Sequence, residues 1–424
     1  MQRRTGLVRK PGRSHLLWHR ALLLAALLFH LSLLVSWRIG FWNRFTFDST
    51  ATQGWRGWDF YALYQAGHNV LTGVSVYESD NEAIDVVVPR YTPYRYLPLP
   101  AYTVGVAFNA VSPLWAFRLW VAVIVALWWT CAWASYRLGR DPTEGAILAA
   151  MWLMFTPFYL EIYLGQFSVV QSALVLVMLW ALMGRLPRWV VDAGWAASLV
   201  WKQNTALLGP VLLRERRWRA LWIGGAVVLV TSVPYFCLYP DSLARFMGNL
   251  SSGAPSPQLG NLGVRQLFYS VASAIWPGLS SQAHSLLQSG WVALVIVAGF
   301  VVTFASKRWD PVLALCFWFT TYFLVYHHVW EHHYVMLLPV LVALYHRYRH
   351  RGVLVAWALV AIWTPYALID PGGMAAFHAP MRWTPLDPPL VDTLYHASKA
   401  LPTLCLWGAQ AWLMARIQPA AEPC

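Results

Sequence analysis

Charge is scarce in this chain. Only 12% of its 424 residues are charged, and the 18 acidic residues are outnumbered by 31 lysines and arginines. A soluble globular chain carries about 25% charged residues, so an ordinary water-soluble fold is excluded. Cysteine is scarce as well. The five, Cys131, Cys237, Cys316, Cys405 and Cys424, are scattered, three of them within apolar runs, with no CxxC or Cys/His spacing. That pattern excludes a disulfide framework and a structural zinc site. Neither a GxxxxGKS/T loop nor an HExxH motif occurs. The longest stretch without a convincing span runs from Arg38 to Leu97, too short for a soluble nucleotide-sugar domain.

Hydrophobicity fills the gap, with 58% of the residues hydrophobic and 27 of them tryptophan. Apolar runs recur at lengths that can cross a bilayer core of roughly 30 Å. The formal charge of +13 is not a nucleic-acid footprint, because the basic residues sit in short clusters between the runs, as the positive-inside rule requires. Such clusters favour anionic lipid headgroups. Arg3, Arg4, Arg9, Lys10 and Arg13 precede the first run and put the N-terminus in the cytoplasm. That run, Leu16–Trp37, is followed by Arg38-Ile39-Gly40-Phe41 and no small-residue cleavage site, so it reads as a retained span.

The expected fold is an all-α polytopic bundle in the cell (plasma or inner) membrane, with about ten full transmembrane helices plus re-entrant or half-helices. Its order is a basic cytoplasmic N-terminus (1–15), a first span (16–37), a long first extracytoplasmic loop (38–96), a helical bundle (97–238), a second outer loop (239–284), C-terminal helices (285–415) and a cytoplasmic tail (416–424). The charge rule makes Leu97–Val111, with Pro98, Pro100 and Pro113 around it, a partial span. It also makes 189–213 a re-entrant pair meeting at Lys202-Gln203-Asn204. The outer segments are 38–96, 239–284, 327–332 and 370–393.

Five stations carry chemistry. In Trp58-Asp59-Phe60-Tyr61, Asp59 reads either as a helix N-cap or as a general base held between aromatic rings, with Tyr61 and Tyr64 on neighbouring faces. Tyr91 to Pro100 reads as an interfacial aromatic belt or as a site where Arg95 holds a phosphate through its planar fork. Lys202, flanked by apolar residues, either snorkels or acts at membrane depth. His327-His-Val-Trp-Glu-His-His333 offers four histidines and a glutamate. It reads as a solvated turn, a hydrogen-bonding site for substrate or, less readily given its spacing, a metal site. Arg265, after the Ser/Pro/Gly-rich stretch 251–260, reads as a solvated loop residue or an anion contact.

In order, these stations resemble glycosyltransferase family 87, in the GT-C class of polytopic transferases that use polyprenyl-phosphate sugars. The resemblance rests on Asp59-Phe60 through Ala66, Gly73 to Tyr77, Tyr94 to Leu99, Leu164 to Gln166, Lys202, and Trp330-Glu331-His332-His333. It covers residues from about 16 to 345. Two positions depart from the family pattern. Gln203 follows Lys202 where the family has Pro, and Glu331 stands where it has Asp.

The resemblance implies a GT-C-like bundle and an inverting, single-displacement transfer of a hexose, mannose by the family's habit, to a lipid or glycan acceptor on the extracytoplasmic face. Asp59 would be the catalytic base. Arg95, Lys202, Arg265, His332 and His333 would hold the donor phosphate. Trp58, Tyr61, Tyr64, Tyr96, Gln166, Trp330 and Glu331 would contact substrate, and no metal or cofactor is called for. A transporter or flippase of a lipid-linked sugar would use the same cavity without needing Asp59 as a base. A non-catalytic envelope-assembly protein would turn over nothing.

Overall fold

The computed structural model describes residues 13–43, 56–251, 260–307, 309–363 and 389–416. The basic N-terminus to residue 12, parts of the first outer loop (44–55), the Ser/Pro/Gly-rich stretch from 252 to 259, most of the outer segment 370–393 and all but the first residue of the tail lie outside the described residues. No strand occurs among the described residues; all regular structure is helical.

The helices sort into two kinds. Among the described residues, four are long and apolar enough to cross a bilayer alone: α1 (Arg13–Ile39), α5 (Pro113–Leu138), α11 (Trp218–Leu238) and α14 (Ser281–Ala305). They turn apolar side chains outward, such as Trp222 and Val230 on α11 and Leu294 and Val297 on α14, as helices facing lipid do. A fifth candidate is the pair α6 (Pro142–Leu153) and α7 (Pro157–Leu164), bent by 47° where Pro157 restarts the helix.

The second kind is short and, α17 apart, largely enclosed. Every residue of α7 is buried, and so are thirteen residues of α15 (Pro311–Val325). α8 (Ser168–Leu182), α16 (Leu338–Tyr348) and α17 (Arg351–Ala361) have 11 to 15 residues. At 1.5 Å per residue such helices reach about 16–22 Å, less than the bilayer core. The sequence count of about ten full spans includes these inner helices and α18 (Pro389–Arg416). Among the described residues, four or five helices qualify by length and composition alone.

Proline and capping residues set the boundaries. Pro113, Pro142 and Pro311 open α5, α6 and α15, where their missing N–H costs nothing. Asp141 accepts from the Glu144 amide, and Asp310 from the amides of Val312 and Leu313. The 239–284 segment is not an extended loop. It holds two amphipathic helices, α12 (Asp241–Ser251) and α13 (Val264–Ile275).

The two stretches that the charge rule makes a partial span and a re-entrant pair are each broken into short helical pieces. Leu97–Val111 becomes α3 (Pro98–Pro100), a π turn (Ala101–Gly105) and α4 (Val106–Phe108). α2 (Trp58–Leu71) crosses it where Gly67 meets Gly105. A Cβ on Gly67 would lie 2.2 Å from the Gly105 carbonyl carbon, so glycine is required by close approach. The second stretch is α9 (Trp189–Trp201), a break at Lys202, a 3-10 turn (Gln203–Leu208) and α10 (Gly209–Arg214).

Candidate active site

α2 opens at Gly57, whose φ of 73° places the chain in the left-handed region, and no side chain caps the helix. The Gly57 amide donates to the Tyr163 carbonyl at 2.9 Å, tying the start of α2 to the end of α7. Asp59 is therefore not the N-cap. It is the second residue of α2, and its carboxylate accepts from Thr92 Oγ1 at 3.2 Å and from the Gln166 amide. Burial raises its pKa above the ordinary carboxylate value. The Gln166 hydrogen bond, the charge of Arg95, the Thr92 hydroxyl and the charge of Lys202 act in the opposite direction.

Gln166 reaches Asp59 because the chain reverses at Gly165, where φ is 67° and a Cβ would strike the Phe60 side chain at 2.7 Å. The Gln166 side-chain oxygen accepts from Tyr96 Oη at 3.3 Å and from the Phe167 amide at 3.2 Å. Its nitrogen is left for Asp59.

Lys202 sits in extended conformation between two helical pieces. Its Nζ donates to Ser168 Oγ at 3.0 Å, and the residue is 8% exposed. The break is held on several sides. Trp201 Nε1 donates to the Phe167 carbonyl, Trp195 Nε1 to the Thr205 carbonyl, and Gln171 Nε2 to Asn204 Oδ1. The buried placement, with the ammonium on an internal hydroxyl, is not snorkelling.

The histidine station folds as a 3-10 turn, Glu331–Leu337. His333 Nδ1 accepts from the Trp330 amide at 3.0 Å, and His328 stacks on Trp330 with ring centroids 5.1 Å apart. His332 is 2% exposed, and neither of its ring nitrogens has a hydrogen-bond partner. Burial, then the charge of Lys202, holds His332 well below its usual pKa; burial and Arg95 push His328 down to about 3. Both imidazoles are neutral at physiological pH, so His332 offers hydrogen bonds rather than charge.

These stations line one cavity of about 540 Å³. Asp59, Arg95, Lys202, His332 and His333 face it, and so do Trp58, Tyr96, Gln166 and Trp330. The Tyr91–Tyr96 segment is thus a cavity wall and not an exposed belt. Its backbone is fixed by Tyr77 Oη donating to the Tyr96 carbonyl and Asn249 Nδ2 to the Tyr94 carbonyl.

Four expected site residues lie elsewhere. Tyr61 packs on Phe117, with ring centroids 5.7 Å apart, and Tyr64 Oη donates to the Val111 carbonyl. Relative to Asp59 they are rotated by about 200° and 140° around a helix of 3.6 residues per turn, so they face the packing side. Arg265 donates to the Val325 carbonyl and to Gln288 Oε1, outside the lining. Glu331 turns away from the cavity to Lys399, with Oε1 and Nζ 3.5 Å apart.

Other residues at the site went unread in the sequence. Thr92, Tyr322 and Tyr326 line the cavity. Glu161 is fully buried on α7 and accepts from the Val169 amide at 2.9 Å, capping the start of α8 beside Lys202. A glutamate within Phe158-Tyr-Leu-Glu-Ile-Tyr163 carried the signal, since ionisable residues in apolar runs are functional candidates. Among the described residues, no group of three or more His, Cys, Asp or Glu is placed to hold a metal.

The sequence profile described as Glycosyltransferase family 87 matches residues 96–326, just over half of the chain. The match takes in Gln166 and Lys202 and stops short of Asp59 on one side and His332 on the other. No curated protein matches the chain. Among solved structures, the chain is similar to ArnT from Cupriavidus metallidurans, whose crystal structure was determined bound to undecaprenyl phosphate. The likeness has a TM-score of 0.41 and 16% identity, over 91% of this chain and 77% of that one.

Proposed function

Since the chain belongs to glycosyltransferase family 87, we propose that this polytopic membrane protein moves a hexose from a polyprenyl-phosphate donor to a lipid or glycan hydroxyl in the Asp59 cavity. The observation that carries the reading is the company Asp59 keeps. One carboxylate with a raised pKa shares a cavity of about 540 Å³ with Arg95, Lys202 and an unpartnered, neutral His332. That is a base beside an anion site.

In this reading the acceptor hydroxyl attacks the anomeric carbon from the face opposite the phosphate. A bond forms between the acceptor oxygen and that carbon, and the bond from the carbon to the phosphate oxygen breaks. Its electron pair leaves with the polyprenyl phosphate, and the hydroxyl proton passes to Asp59. Configuration inverts. Arg95 and Lys202 meet the charge that grows on the leaving phosphate, and His332 donates a neutral N–H. Fixed donors and charges aimed at developing charge are where such sites gain most of their rate. Two cations on a monophosphate supply the neutralisation without a metal.

Mannose is the expected sugar, from the family resemblance. The basic clusters between spans support a cytoplasmic N-terminus and an extracytoplasmic site in the cell membrane. The re-entrant role of 189–213 is supported by its break at Lys202. The test is to incubate the purified chain in lipid nanodiscs with radiolabelled polyprenyl-phosphate mannose and a panel of glycolipid acceptors. Label entering an acceptor, with polyprenyl phosphate released, is expected. No transfer from any polyprenyl-phosphate hexose overturns the reading.

A further inference from the structure

Trp330, which caps the histidine turn, and His332 and His333 within it line the cavity, while Glu331 between them does not. We propose that Glu331 and Lys399 form a buried clamp that sets the register of this turn, and that both are positioning residues for His332. The inference rests on the donor-site reading above.

The turn is gripped at two places. Before it, Asn261 Oδ1 accepts from the Val329 amide at 3.0 Å, and its Nδ2 donates to the His327 carbonyl at 2.6 Å. The Leu262 amide donates to the Val329 carbonyl at 2.7 Å, and Tyr334 Oη to the Leu262 carbonyl at 2.8 Å. The first three bonds fix the chain entering the turn, and Tyr334, three positions after Glu331 on the same 3-10 face, holds its middle, which leaves the start of the turn to its first residue.

Glu331 is that residue. It is 3% exposed and faces Lys399, which is 1% exposed. Lys399 Nζ also donates to the Val360 carbonyl at 2.6 Å and to the Ile362 carbonyl. One ammonium therefore joins the histidine turn, the end of α17 and the middle of α18. In a 3-10 helix successive residues are about 120° apart. Anchoring Glu331 on the α18 side turns His332 and His333 to the other faces, where the cavity is. A glutamate reaches Lys399 where an aspartate, one methylene shorter, would fall back. Buried ion pairs give little net stability, and fixing a register is the best-attested reason to keep one.

The test uses the full-length chain in nanodiscs. Its readouts are melting temperature, the reactivity of His332 with diethyl pyrocarbonate mapped by mass spectrometry, and affinity for undecaprenyl phosphate. Lys399→Met alone takes the ammonium away from a buried carboxylate and is expected to lower the melting temperature. Glu331→Gln with Lys399→Met removes both charges and regains it.

In that folded double variant, His332 reactivity is expected to change by about fivefold or more and undecaprenyl phosphate affinity to fall about tenfold. Lys399→Arg, which keeps the charge, restores both. Wild-type reactivity in a double variant with a wild-type melting temperature overturns the inference. If the double variant does not fold, Glu331→Asp replaces it. Unchanged His332 reactivity in that variant likewise overturns the clamp. A wild-type chain that binds no undecaprenyl phosphate counts against the donor reading instead, and the His332 reactivity still decides the clamp.

Discussion

Three stretches of chain run between two clusters of charge: Asp141 to Gln166, Asp310 to Tyr326, and His333 to Arg349. At the far end from the cavity the charges are paired with one another. Arg349 bonds Asp141 at 2.9 Å and Glu144 at 2.5 Å, His346 bonds Glu144 at 3.1 Å, and Arg347 bonds Asp310 at 2.9 Å. At the cavity end Asp59 is held by a hydroxyl and an amide, and Lys202 by a hydroxyl. The first arrangement neutralises its charges within the protein. The second keeps charges of both signs facing a void, which costs stability and is kept where charge is used.

The sharpest way to break this comparison is Asp59→Asn. Transfer is expected to fall by about 100- to 10,000-fold, while undecaprenyl phosphate binding persists. Transfer that survives would remove Asp59 as the base, and a transporter would show no loss of sugar movement. Lys202→Met comes next. A rate loss of about 100-fold, larger in kcat than in KM, is expected if the ammonium acts on the leaving phosphate. A change in KM alone would make it a ground-state contact.

At the paired end, Glu144→Gln should lose about 2 kcal/mol, read as a fall of several degrees in melting temperature. The turnover of the folded fraction should stay at the wild-type value. Loss of turnover at wild-type stability would erase the distinction between the two ends.

The pH profile offers a finer test. A base must be deprotonated, so the rate should fall as the pH drops through the pKa of Asp59. Burial raises that pKa, so the acid limb should lie above about pH 4. Thr92→Val removes a hydrogen bond to the charged form, which should move the limb up by about one pH unit or less. A limb that moves down would mean the hydroxyl favours the protonated acid. Smallest of all, Tyr64→Phe should cost about 1 kcal/mol and leave the rate constants unchanged.

Much of the cavity was legible because its residues are out of place in their local sequence. An isolated lysine between apolar runs, the Leu164-Gly165-Gln166 element and a dense histidine run each signal something other than packing. Tyr61 and Tyr64 do not flank Asp59 on neighbouring faces, because the helix rotates them to its far side, Tyr61 onto Phe117 and Tyr64 onto the Val111 carbonyl. Arg265 and Glu331 were misread because their partners, Gln288 and Lys399, lie 23 and 68 residues away. Nothing local shows which of two polar directions a side chain takes. Lys399 itself stands in a run whose polar residues, Asp392, His396 and Thr403, recur at helical spacing on a buried face.

The amino-acid sequence by itself determined the solvent of this protein and the order of its elements. Apolar length, proline placement and clusters of basic residues act locally or on the transfer of a whole segment to lipid, so they are additive along the chain. Only the tertiary structure decided which polar groups meet. The Asp59 carboxylate, the Gln166 amide, the Lys202 ammonium and the bare imidazole of His332 come from four separate segments. Their convergence depends on close passages such as Gly67 on Gly105, which no local propensity encodes.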